Sequence, residues 1–81
     1  MDIIVQTMYD EIKRLENTIL EQQNLQDNYD IKLKSLRLLG NKRSEEYRKL
    51  FNERRKTYYR INKSYERINK IRNDIKQYKN M

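Results

Sequence analysis

Lys42, Lys49, Lys56, Lys63 and Lys70 recur at intervals of seven residues, and Arg48, Arg55 and Lys76 each stand one place before a position of that series. Seven residues are two turns of α-helix, so on a helix these cations form one positive ridge with a repeat of about 10.5 Å. Such a ridge can neutralise the phosphates of a nucleic acid backbone, or another anionic surface, without reading bases. It can equally be the solvated outer face of a helix. A second series, Phe51, Tyr58 and Tyr65, keeps the same interval in a chain holding 7 tyrosines. Exposed rings in a row can stack on bases, but helical spacing fits packing against another subunit or protein better.

Other chemistry lacks its parts. There is no His or Cys for acid–base, nucleophilic or soft-metal work, and the single glycine rules out a phosphate-cradling loop. The carboxylates fall at helix-surface spacings, where Asp10–Arg14, Asp30–Lys34, Glu45–Lys49 and Glu66–Lys70 make candidate i,i+4 ion pairs. The expectation is a protein with no catalytic residue, no cofactor and no metal. Without cysteine the redox compartment stays open.

At 36% hydrophobic and 38% charged, the composition suits solvated helices better than a two-sided core. The longest apolar run, Ile3-Ile4-Val5, is too short for a membrane span or signal-peptide core. The expectation is a soluble chain with no transmembrane segment, intracellular or within a virion. Ile, Lys, Asn and Tyr number 9, 10, 9 and 7, whereas Ala and Pro are absent. The first four have AT-rich codons and the missing two GC-rich ones, which points to a phage, another virus or a low-GC microbe.

The elements that must carry these side chains follow from the same interval. RINK occurs at 60–63 and again at 67–70, one cycle of a longer heptad pattern. One row runs from Val5 through Ile12, Ile19 and Leu33 to Ile61, Ile68 and Ile75; its companion runs from Met1 through Met8, Leu15 and Leu36 to Leu50, Ile71 and Tyr78. These are the a and d positions of a coiled coil. The basic ridge then lies at c, with Arg48, Arg55 and Lys76 at b, and Phe51, Tyr58 and Tyr65 lie at e.

The pattern breaks once, at GNKRSEE from Gly40 to Glu46. Glycine after a leucine-rich turn is a helix stop, and Asn41 or Ser44 can cap a following helix with Glu45 and Glu46 in its first turn. The prediction is an all-α chain forming one unit over 1–81: an antiparallel two-helix hairpin with helices at about 2–39 and 43–79 and a turn at 40–43. The alternative is one continuous coiled-coil helix roughly 120 Å long. Antiparallel pairing sets a against d with indices summing to 83, as in Met8–Ile75, Leu15–Ile68 and Leu33–Leu50.

Charge favours the hairpin. Residues 1–30 carry seven acids and two bases, and residues 31–81 carry seventeen bases and five acids. Antiparallel pairing lays the acidic segment on the basic one, pairing Glu16 with Arg72, Glu11 with Arg67 and Lys32 with Glu53. It also places Gln22, Gln26, Tyr29, Arg54, Thr57 and Ser64 in mid-seam, where polar residues fix register at a cost in stability. Leu20, Ile31 and Leu38 point away from the seam and leave the first helix more apolar than a solvated hairpin needs. A two-helix unit with a polar mid-seam has little stability to spare, so self-association or docking on a protein partner is expected, in an assembly such as a phage or viral particle. Two alternatives are sequence-nonspecific nucleic acid binding on the ridge and a small regulator masking an acidic protein surface.

Overall fold

The structure, a computed structural model, describes residues 2–41 and 44–81. Two helices, α1 (Ile3–Leu38) and α2 (Glu45–Lys79), fold back on each other as a hairpin. Each is roughly 54 Å long at 1.5 Å per residue, and the longest dimension of the molecule is 60 Å. The continuous-helix alternative is thereby excluded.

Both helices start on side-chain caps. The Asp2 carboxylate accepts from the Ile4 N–H at 2.8 Å, and the Ser44 hydroxyl accepts from the Tyr47 N–H at 3.1 Å. Of the two cap candidates for α2, Ser44 serves, so the helix begins at Glu45 rather than near 43. Glu45 and Glu46 fill its first turn, where the helix dipole favours negative charge. Helix α1 ends in a Schellman motif: the Gly40 N–H donates to the Arg37 carbonyl at 3.0 Å and the Asn41 N–H to the Leu36 carbonyl at 2.8 Å. Gly40 holds φ at +77°, the left-handed conformation the motif requires. Helix α2 ends at Lys79 as expected, and the two ends of α1 fall one residue inside the expected ones, the ordinary scatter of helix termini.

Between the helices the heptad pattern is obeyed. Every buried side chain among the described residues, from Val5 to Ile75, falls at a or d. Val5, Ile12, Leu15, Ile19, Ile61, Ile68 and Ile75 form one continuous cluster, with Met8, Ile71 and Tyr78 packed against it. Each buried Ile or Leu contributes roughly 2 kcal/mol. Leu33 is buried apart from this cluster, nearer the turn, where Leu36, Tyr47 and Leu50 are only half-covered.

A polar waist separates the two apolar stretches. Thr57 is buried, and its hydroxyl donates to the Arg54 carbonyl at 2.6 Å. The Arg54 guanidinium crosses to Asp30, and Arg60 reaches Gln22 at 3.5 Å. No buried side-chain nitrogen or oxygen among the described residues is left without a partner. The waist therefore weakens the seam without leaving an orphaned group in it.

Gly40 gives a direct test of the turn. A Cβ there would meet nothing within 4 Å, so substitution carries backbone strain alone. Gly40→Val should lower unfolding free energy by about 1–2 kcal/mol, and Gly40→Asn by less because Asn tolerates the left-handed region. Urea titration followed by ellipticity, with unchanged slope, checks both.

Candidate interaction surfaces

The seam sorts the remaining side chains onto two unlike long faces. One face carries the e rows of both helices: Arg72 reaches Glu16 at 4.0 Å, and the Lys79 ammonium stands 5.5 Å from the Tyr9 ring centre. The opposite face carries the g rows, where Arg67 approaches Glu11 at 3.7 Å. Both ion pairs expected at Glu16 and Glu11 are thus formed. The pair expected between Lys32 and Glu53 is not. Glu53 takes Lys56 of its own helix at 3.0 Å, a neighbour one turn away that needs no reach across the seam.

The i,i+4 pairs are corrected in the same way. Arg14 takes Glu11 at 2.6 Å, while Asp10 accepts from Gln6 at 2.9 Å; Lys63, rather than Lys70, approaches Glu66 at 3.7 Å. Asp30 is drawn from Lys34 to Arg54, and no Glu45–Lys49 pair forms among the described residues. Glu11 wins over Asp10 because it sits at g, within range of Arg67 as well. Those contacts, Arg14 first, hold its carboxyl below the usual carboxylate range.

The lysine row at c borders the g face, whereas Arg48, Arg55 and Lys76 at b border the e face. Arg48, Lys49, Arg55, Lys56, Lys63, Lys70 and Lys76 are all exposed; Lys42 lies outside the described residues. Lys56 and Lys63 have acidic neighbours, whereas Arg48, Lys49, Arg55, Lys70 and Lys76 pair with no carboxylate among the described residues. Sequence reasoning passed over Tyr59. At position f it faces solvent in a shallow groove with Asn52, Arg55, Lys56 and Arg60, and Lys63 stands 5.5 Å from its ring centre. The signal was present as Arg55 and Lys56 four and three residues before the tyrosine and Lys63 four residues after it.

The apolar candidates divide. Phe51, Tyr58 and Tyr65 lie on the e face, 46%, 60% and 47% exposed, with Phe51 stacked on Tyr47 at 6.5 Å. Leu20 joins them there, sharing with Tyr65 a groove floored by the seam residues Ile19 and Ile68 and rimmed by Glu16 and Arg72. Ile31 and Leu38, at f, sit on the outer back of α1 with 64% and 79% exposure, away from that row.

At the open end of the hairpin, the Tyr78 hydroxyl donates to the Asp2 carboxylate, which the Ile4 N–H also contacts. The Tyr78 bond first, then the Ile4 bond, hold the Asp2 carboxyl below its usual value; Asp2 in turn raises the Tyr78 phenol. No helix among the described residues is long and apolar enough to cross a membrane. No protein-family model, curated protein or solved structure matches the chain.

The clasp predicts a pH window. A depressed Asp2 contributes stability that is present above the ordinary Asp value and lost as pH falls through the depressed one. A raised Tyr78 contributes stability that is present below the ordinary Tyr value and lost as pH rises through the raised one. The stability difference between wild type and Tyr78→Phe should be level between about pH 5 and pH 9 and vanish toward both extremes. Thermal melts of the two proteins across pH check it.

Proposed function

We propose that this chain is a non-enzymatic helical-hairpin building block, acting by docking its uncovered apolar side chains into an assembly of the kind that forms a phage or viral particle. The observation that carries this reading is the row Phe51, Tyr58 and Tyr65, left half-exposed after the seam has closed. Contiguous aromatic surface of this sort marks a protein contact. Leu20, on the same face, extends it, and Ile31 and Leu38 offer a second contact on the back of α1. The polar waist supports the same reading, since a lone two-helix unit of this size has little apolar burial to offset chain ordering.

Phe51→Ser combined with Tyr58→Ser spares the a and d positions. Helicity at high concentration should survive while the mass measured by light scattering falls. A wild-type chain that is a stable, fully helical monomer at micromolar concentration would defeat the proposal.

A second reading, sequence-nonspecific nucleic acid binding, is favoured by the ridge cations that lack a carboxylate neighbour. Four or five phosphate contacts would give duplex binding a salt slope near about −4, with little dependence on base sequence. Changing Lys49, Lys56, Lys63 and Lys70 to Gln should then flatten the slope and weaken low-salt binding by orders of magnitude. Under the assembly reading the same variant leaves mass unchanged, and wild-type binding is weak with a shallow slope. Filter binding at two salt concentrations, with light scattering on the same samples, separates the two.

A further inference from the structure

The e face has a charge pattern that selects its own cover. Between residues 16 and 30 its α1 side offers Glu16, Leu20, Gln23, Asp27 and Asp30, with no base; its α2 side, from Arg48 to Lys76 at positions b and e, has no acid. Glu16 and Asp30 are already engaged within the chain, by Arg72 and Arg54. Asp27 and Arg55, both exposed, pair with no opposite charge among the described residues. Within one hairpin they cannot meet: both sit at b, on the outer flanks of the two helices. A second hairpin laid on this face can bring them together.

We infer that the e face binds a second copy of this chain, related by a two-fold axis parallel to the long axis of the hairpin, to form an antiparallel four-helix bundle. This deepens, and rests on, the assembly reading above. Under that axis α1 of one copy lies over α2 of the other at the same level, where indices sum to about 83. Asp27 then faces Arg55 of the second copy, and Leu20 falls between its Tyr58 and Tyr65. The like-charged neighbours Lys34 and Arg48 meet only near the turn. The other two-fold packing, about an axis across the helices, sets α2 on α2 and brings Arg48 toward Lys76. Self-complementary pairing of one patch with itself is the form a closed dimer takes. The face, 60 Å by 16 Å, also reaches the roughly 800 Å² per partner of a stable interface.

Three proteins and one label test the proposal. Wild type should show twice the 10.2 kDa chain mass at micromolar concentration. Asp27→Arg should shift it toward monomer by tenfold or more in dissociation constant, and Asp27→Arg with Arg55→Asp should restore the dimer. Because the chain has no cysteine, a spin label on Lys34→Cys is unique. Two labels in a dimer should lie within about 25 Å, whereas the crosswise packing puts them roughly 40 Å apart. An oligomer that ignores Asp27→Arg, or gives the long distance, overturns this dimer and leaves the assembly reading standing. A helical wild-type monomer overturns both.

Discussion

An antiparallel seam of a against d, closed by one glycine turn, is the constraint on which everything else in this molecule depends. The heptad phase is the same before and after Gly40, so the chain has a single apolar stripe that must be covered along its whole length. Folding back covers it with the chain's own second half. The Schellman bonds at Gly40 and Asn41 and the Ser44 cap satisfy backbone groups at the reversal that would otherwise compete for water. Once the stripe is closed, heptad position alone decides what each remaining side chain can reach.

The seam is not uniform, and the irregularity has a use. Uniform leucine and isoleucine layers can slide by a heptad at little cost, whereas Arg54 and Gln22 have partners across the seam in one register only. The Arg54–Asp30 pair would leave a partly covered guanidinium without its acid after a one-heptad slip. The waist thus exchanges some stability for a single alignment. It also leaves the turn half of the hairpin held by Leu33 and half-covered neighbours, so that half has the fewest buried contacts to resist opening.

Period made most of this legible beforehand. The interval of seven identified the buried positions, the break at Gly40 identified the reversal, and the index sum identified facing layers. What escaped was anything decided by alternatives of nearly equal energy. Ser44 and Asn41 were both competent caps, and geometry chose between them. Glu53 had Lys32 across the seam and Lys56 on its own helix; Arg14 had Asp10 and Glu11. Surface ion pairs differ by a few tenths of a kcal/mol, so sequence spacing offers a set of partners without ranking them. Tyr59 was missed for another reason: position f carries no seam signal, and its cationic surroundings emerge only when side chains from three turns of helix are placed around the ring.

The separation of the two candidate surfaces has its own consequence. Positions c and e lie two residues apart on each helix, about 200° around its axis, so the lysine row and the aromatic row cannot share a face of the hairpin. A contact made through the e face takes in Arg55 at b but leaves the lysine row at c in solvent, and a contact made on the lysine row leaves the rings uncovered. In the two-fold bundle, the lysine rows end on opposite outer edges. Adding a third hairpin edge to edge would then bring rows of unneutralised ammonium groups together at low dielectric, which is repulsive. Under the proposed dimer, apolar surface drives the first association and like charge opposes the next. A polyanion is the natural exception, because it removes the repulsion while leaving the aromatic contact untouched. The two proposals are therefore compatible as successive layers: the aromatic row against α1 of the second copy inside, the lysine row toward phosphate outside.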